Sequence, residues 1–288
     1  MLQDDLALSV QGLAGLLTTH TFGRRHVHLA TCGSTNDELS SLARASGGAA
    51  VPAVPAVPAV PEGTVVTADA QTGGRGRMGR VWHSPAGENL YVSVLLRPAI
   101  ATAGIPPLTL LAGGALAETL RRFEVEVRLK WPNDLLVRPR GATDRPFRKV
   151  AGILTEAATE GERLSHVVVG IGLNVNTADF PADLADKATS LRLATGKLTS
   201  RAGLLAGLLA DLERAYLDFR ARGTPAAIAL WERHAHLGQL CRARGTQGEV
   251  TGHTAGVGPG GELLLRDAMG NLHRIFSGEV VPLTGQDP

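Results

Sequence analysis

Cysteine is nearly missing from this chain: Cys32 and Cys241 are the only two among 288 residues. They stand far apart and match no metal-ligand or redox spacing. Disulfide scaffolds, zinc ribbons and Cys-x-x-Cys chemistry therefore do not organise the fold, and two reduced thiols in a cytoplasmic protein are expected. Aromatic residues are scarce at 4%, which argues against a stacking platform for single-stranded nucleic acid. Net charge is small as well: 29 Lys+Arg against 27 Asp+Glu leave +2. No global field points to nucleic acid or a membrane surface. No apolar run approaches the ~18 residues of a membrane span, and the acidic opening Met1-Leu2-Gln3-Asp4-Asp5 does not begin a secretory signal. Also absent are a phosphate loop ending in Gly-Lys-Ser/Thr, a His-Glu-x-x-His helix, a Ser/His/Asp triad spacing and paired catalytic glutamates. The pairs His26/His28 and His234/His236 have no further ligands at zinc spacing.

What is present is a local exception to this neutrality. Gly73-Gly74-Arg75-Gly76-Arg77-Met78-Gly79-Arg80 holds four glycines and three arginines in eight residues, with no carboxylate. Glycine lets a backbone approach a ligand closely, and arginine supplies a fixed fork of donors for carboxylate or phosphate. Residues 64–68 before it and 90–96 after it read as strands. The loop thus hangs from a sheet, where loops commonly carry function. Gly74-x-Gly76-x-x-Gly79 imitates a dinucleotide fingerprint, but Val81-Trp82-His83-Ser84-Pro85 follows it instead of a helix.

Periodicity organises the rest. Helices are expected over residues 4–17, from Ser34 onward with Asp37 completing a capping-box-like start, over 107–123 with Gly113-Gly114 packed against the sheet, and over 200–222. Strands are expected over residues 25–29, 125–137 around Lys130-Trp131-Pro132-Asn133-Asp134, 149–156 and 167–176. Residues 51–61 repeat Val-Pro-Ala and read as an extended insertion in a surface loop. From Gly238 short strands and Gly-rich turns take over. The expected fold is α+β: a mixed β-sheet flanked by helices over residues 1–237, then a small β-barrel over 238–288.

Strand ends and loops of the sheet then gather Ser34, Thr35, Asn36, Gln71, Arg75, Arg77, Arg80, Lys130, Asn133, Asp134, Lys149, Asn174 and Asn176, a set rich in donors and cations and poor in carboxylates. These motifs recur in a characteristic order: Gly33-Ser34-Thr35-Asn36, the arginine loop with Trp82, Ser84-Pro85 with Asn89-Leu90-Tyr91, Lys130-Trp131-Pro132-Asn133-Asp134, Lys149-x-Ala151-Gly152-Ile153-Leu154 with Glu156, and Gly170-Ile171-Gly172-x-Asn174-x-Asn176. In that order the chain strongly resembles the biotin protein ligases. The resemblance implies a class II synthetase-like catalytic domain and an SH3-like barrel. It implies activation of biotin by ATP with Mg2+, giving biotinyl-5′-adenylate, and transfer of biotin to a lysine of a biotin carboxyl carrier protein domain. Biotin would be bound by Ser34, Thr35, Asn36, Gln71, Arg75, Gly76, Arg77, Lys149 and Gly152. ATP would be bound by Arg80, Lys130, Asn133, Asn174 and Asn176. Arg77, Lys149 and Asp134 would be catalytic, with Asp134 orienting or deprotonating the acceptor lysine or else only bracing the Lys130 loop, and no metal would be held by protein alone.

Met78 stands where the family often has a basic residue, and the adenine-packing residue is not placed within residues 187–193. Only 33 residues precede Ser34, too few for the N-terminal DNA-binding domain of bifunctional relatives. The expectation is a monofunctional cytoplasmic ligase, monomer or homodimer, with no DNA or membrane partner. The competing readings are a lipoate or octanoate ligase or transferase of the same fold, and a nucleic-acid-binding module.

Loop-closure cost changes slowly with length, so the proline run is expendable on this reading. Deleting residues 51–59 is expected to leave thermal stability and ligase activity near wild type. A folded deletion variant with a large activity loss would give the run a role.

Overall fold

The computed structural model describes residues 8–45, 59–245 and 248–283. Most of the expected proline-rich insertion and the first residues of the expected N-terminal helix lie outside the described residues. That helix is short where it is described: α1 covers Val10–Ala14, capped by the Ser9 side chain on Gly12 N.

Seven strands form the main sheet: β1 (His26–Cys32), β2 (Val65–Gln71), β3 (Leu90–Leu96), β4 (Val125–Lys130), β5 (Asp134–Pro139), β6 (Arg148–Glu160) and β7 (Arg163–Leu173). Their order is β1-β2-β3-β7-β6-β5-β4. Only β1 and β2 pair in parallel, and α2 (Thr35–Ala45) lies in the connection between them. Every other neighbouring pair is antiparallel.

Alternation divides the sheet's side chains between two faces. Val65, Val94, Val167 and Val169 enter the large core, whereas Val66, Leu95 and Val168 meet Leu39 and Ala43 of α2 on the other face. The large core is covered by α3 (Pro106–Leu120), α5 (Arg201–Arg222) and α6 (Thr224–Glu232). α3 is buried almost all round, as its apolar, nearly non-amphipathic sequence requires. The expected close approach at Gly113-Gly114 is shared between two neighbours. A Cβ on Gly113 would face Leu129, Ile153 and Trp231, whereas one on Gly114 would lie 2.5 Å from Leu230 of α6. A short helix α4 (Leu191–Thr195) precedes α5.

The C-terminal part is an antiparallel five-stranded sheet of β8 (Leu240–Gly245), β9 (Gly248–Val257), β10 (Leu263–Arg266), β11 (Leu272–Ile275) and β12 (Glu279–Pro282), in the order β11-β10-β9-β8-β12. β12 adds a strand to those expected from sequence. Cys241, Leu263, Leu265 and Val280 pack into the same apolar cluster as Trp131 and Trp231, so the two parts share a core. Both cysteines are buried and free, and burial pushes each thiol up to about 11. No helix among the described residues is long and apolar enough to cross a membrane.

Glu213 ties α5 to the segment before β1. Its Oε1 accepts from Thr21 N at 2.6 Å and Phe22 N at 3.0 Å, and its Oε2 accepts from His20 N at 2.9 Å. Burial alone raises this carboxyl, but the backbone donors outweigh it and hold it below the usual carboxylate range. Glu213→Gln should cost about 1.5–3 kcal/mol in urea unfolding at neutral pH. A depressed folded value means this stability is present above the unfolded carboxylate range and is lost as pH falls through the folded value. The gap between wild type and variant should therefore narrow on acidification below about pH 4. A constant gap down to acid unfolding would remove the linkage.

Candidate active site

A cavity of about 570 Å³ opens where the strand ends carrying Gln71, Asp134 and Lys149 meet the start of α2, and β12 forms part of its wall. Ser34, Thr35 and Asn36 are buried at the start of α2. Gln71 ends β2 and its Oε1 accepts from Thr35 N at 2.9 Å. Its Nε2 donates to Ser84 Oγ at 3.3 Å. Asn36 has a fixed orientation: Nδ2 donates to Leu154 O at 3.2 Å and Glu156 Oε2 at 2.6 Å, and Oδ1 lies 2.6 Å from Ser93 Oγ. Gly170 leaves the room for this amide, since a Cβ there would lie 2.2 Å from Asn36 Oδ1.

The arginine loop folds back on itself. Gly76 N donates to Arg80 O at 2.6 Å and Trp82 N to Gly74 O at 2.9 Å, bracketing the pair Arg75 and Val81. Between them lies a short 3-10 turn, Arg77–Gly79, with Met78 in left-handed backbone at φ 58°. Each arginine has a different setting. Arg75 grips Asp37 with two bonds, at 2.6 and 2.7 Å, and reaches Glu156 at 3.3 Å. These contacts hold the Arg75 guanidinium more firmly charged and lower Asp37. Arg80 donates to Glu279 of β12 at 2.7 Å, which raises Arg80 and lowers Glu279. Arg77 is half-buried. Burial lowers its pKa; Asp134 opposes that shift and Arg80 adds to it.

Opposite the loop, the turn between β4 and β5 presents Lys130 and Asp134, which are paired across the strands. Trp131 anchors this turn in the C-terminal sheet, with Nε1 donating to Gly261 O at 2.9 Å. Asn133 Nδ2 donates to Ile153 O at 2.9 Å, and Ile153 N returns a bond to Asn133 O. Lys149 Nζ lies 2.6 Å from Asp134 Oδ1 and 5.5 Å from the Trp82 ring centroid. Main-chain bonds Lys149 N to Lys187 O and Thr189 N to Lys149 O bring residues 187–189 alongside. Trp82 lies on bare backbone: a Cβ on Gly172 would meet its ring at 2.5 Å and one on Gly152 at 3.1 Å. Its Nε1–H is buried and has no partner among the described residues.

The sequence-predicted residues converge with one exception. Ser34, Thr35, Asn36, Gln71, Arg75, Gly76, Arg77, Arg80, Lys130, Asn133, Asp134, Lys149, Gly152 and Asn174 all border the cavity. Asn176 does not. Its amide is spent on Thr199, donating to O at 2.9 Å and accepting from N at 2.9 Å. Asn174 borders the cavity but gives its Nδ2 to Thr189 O at 3.1 Å.

The expectation of few carboxylates needs correction, because Asp37, Asp134, Glu156 and Glu279 each hold a site cation. Asp134 belonged to the expected set and Glu156 to a quoted motif, and Asp37 directly follows Ser34-Thr35-Asn36, whereas Glu279 is distant in sequence. Phe180, Leu184 and Lys187 close the far wall, which periodicity did not reveal. Among the described residues no group of three or more His, Cys, Asp or Glu is placed to hold a metal. His26 and His28 instead share the Thr67 hydroxyl, and His234 meets Glu118. The arrangement is an apolar-floored slot with amides and hydroxyls at one end and cations around it, suited to a neutral body carrying an anionic tail beside a second anion.

Residues 56–174 match the Biotin/lipoate A/B protein ligase family. The chain is 32% identical over 261 residues to the biotin--[acetyl-CoA-carboxylase] ligase of Mycobacterium tuberculosis, covering 88% of each. It is 40% identical over 223 residues to the bifunctional ligase/repressor BirA of Bacillus subtilis, covering 76% of this chain and 66% of that one. Thus it spans less than two thirds of the bifunctional relatives. Among solved structures, the biotin protein ligase of Aquifex aeolicus in complex with biotin and ATP superposes with a TM-score of 0.71. The identity is 29%, over 90% of this chain and 98% of that one.

Gly172→Ala tests the seat of the indole. The added methyl must displace the Trp82 ring, while Trp131 and Trp231 stay buried. The variant should keep its circular dichroism but show red-shifted, more quenchable tryptophan emission. Unchanged emission would mean that the ring does not lie on Gly172.

Proposed function

The chain belongs to the biotin/lipoate A/B protein ligase family, and from that premise we propose that it is an ATP-dependent biotin protein ligase acting on a biotin carboxyl carrier protein domain. The observation that carries this reading is the convergence of Arg77, Lys130 and Lys149 on one cavity whose inner end is lined by Ser34, Thr35, Asn36 and Gln71. Hydroxyls and amides suit the ureido head of biotin. The Trp82 ring, seated on the bare backbone of Gly152 and Gly172, offers an apolar face that suits its flat body.

Two anions must meet in the first step. A carboxylate oxygen of biotin bonds to the α-phosphorus of ATP, the bond to the bridging oxygen breaks, and pyrophosphate leaves. Cations fixed before the reaction offset the repulsion and stabilise charge on the departing pyrophosphate. Arg77 and Lys149 lie toward the carboxylate and Lys130 toward the phosphates. Arg80 reaches the phosphates only by releasing Glu279. Asn133 and Asn174, which border the cavity, serve the nucleotide end, whereas Asn176 acts at a distance by bracing Thr199. Magnesium fits as part of the ATP substrate: the cavity's carboxylates are already engaged by Lys149, Arg75 and Arg80.

In the second step the neutral amine of the carrier lysine attacks the acyl carbon, the C–N bond forms and AMP leaves. Asp134 holds Lys149 at 2.6 Å. It receives the proton of the incoming amine only when Lys149 turns to the ligand. Asp134 thus positions Lys149 first and accepts a proton second.

The deciding assay is ATP–pyrophosphate exchange with biotin, lipoate or octanoate as the acid. Biotin-dependent exchange is expected, and exchange with lipoate alone would move the chain to the other branch of the family. Lys149→Ala removes a charge-assisted bond in a closed site, so biotin affinity should fall by a factor of about 10–100 with slower exchange. Unchanged titration and turnover would take Lys149 out of the site.

A further inference from the structure

The three loop arginines look interchangeable in sequence, yet their surroundings separate them. Arg75 presents its fork to Asp37, with one terminal nitrogen 2.6 Å from Oδ2 and the other 2.7 Å from Oδ1. The second nitrogen also reaches Glu156 Oε1 at 3.3 Å. Three of the five N–H donors of a guanidinium are thereby taken. Two carboxylates against one guanidinium leave this spot formally negative, so an incoming carboxylate or phosphate is not attracted to it. Glu156 is itself oriented: its other oxygen accepts from Asn36 Nδ2 at 2.6 Å. The contacts join three elements, the first turn of α2, strand β6 and the start of the loop. Beyond Arg75 the loop has two glycine joints, Gly76 and Gly79, with Gly79 at φ 75°.

We propose that Asp37, seconded by Glu156, is a positioning residue that pins the root of the arginine loop through the Arg75 side chain, so that Arg75 is a strut and Arg77 the ligand-facing cation. The loop is then fixed at its root, while its far end is held by the single exposed Arg80–Glu279 contact, which a ligand can replace. Closure over a ligand orders only the residues from Gly76 to Arg80, which reduces the entropy that ligand contacts must offset. This rests on the biotin ligase reading for its ligand, but the pinning itself is a property of the free protein.

The test has two arms. In ligand-free protein, Asp37→Asn removes the charge and keeps the shape. The pair is largely exposed, at 39% and 56% of its side chains, so the variant should fold with little change in Tm. Trypsin cleavage within residues 75–80 should accelerate about tenfold, and Asp37→Glu should restore protection. A wild-type cleavage rate in Asp37→Asn overturns the proposal whatever the enzyme's substrate is.

The second arm measures retention of the biotinyl-adenylate and ATP–pyrophosphate exchange. Asp37→Asn, Arg75→Ala and the double variant should share one defect: about tenfold faster adenylate release and raised KM for biotin, with kcat of exchange within about twofold. If Arg75→Ala is far worse than Asp37→Asn and lowers kcat, Arg75 contacts the reacting groups and the strut is refuted. Wild-type protein that shows loop protection but no exchange with biotin would fail the functional reading while leaving the pin intact.

Discussion

Cations gathered to attract anions repel one another first, and the rest of the site depends on how that repulsion is contained. In this chain the answer is local pairing. Lys149 is held by Asp134, Arg75 by Asp37 and Glu156, and Arg80 by Glu279. Each pair lies at an edge of the cavity, where water still screens it. The pairs also differ in reach. Arg75 is gripped by two carboxylates, whereas Lys149 and Arg80 have one each. Arg77 is the loop arginine that burial affects most, with Asp134 the carboxylate that opposes the shift. A graded set of this kind lets one site be ordered when empty and attractive to anions when they arrive.

The sheet makes this arrangement possible through its glycines. Gly152 and Gly172 are partners across β6 and β7, so their missing side chains form one bare patch. Trp82 lies on that patch and Lys149 lies near the ring. Gly170 opens the next position on β7 to Asn36. Strand alternation keeps Ile171 and Ile153 pointed into the core from the same two strands. The same backbone therefore serves packing on one face and lines the cavity on the other, with no helix needed to form the floor.

Much of this was legible in the sequence, for identifiable reasons. Sheet strands with continuous apolar runs, such as residues 90–96 and 167–173, announce burial on both faces. The long helix over 200–222 was bounded by Ser200 and Gly223, which do cap it. The cationic loop was visible because glycine and arginine have strong local meanings. Partnerships were less legible, because they depend on tertiary register. Nothing in Arg75, Arg77 and Arg80 as residue types says which faces Asp37, which Glu279 and which the cavity. Asn176 illustrates the same limit: an amide near a site reads as a ligand contact, but the turn at Thr199 takes both of its functions. The fifth strand of the C-terminal sheet was missed because Glu279-Val280-Val281-Pro282 ends on a proline, which reads against a strand.

That fifth strand changes how the molecule is understood. Read alone, the C-terminal sheet is an appended module. In the structure β12 forms part of the cavity wall, and the sheet makes two hydrogen bonds to the site, through Glu279 on Arg80 and through Gly261 O on the Trp131 indole. The second contact is internally braced: Glu262 accepts from Gly260 N and holds Arg274, which fixes the turn that presents Gly261. Trp131 in turn sets the β4–β5 connection from which Lys130, Asn133 and Asp134 project. One contact holds the arginine loop and the other holds the turn across from it. The spacing between those two walls is therefore set by a sheet that supplies no arginine or lysine to the cavity, and the shared apolar core makes that sheet rigid enough to set it.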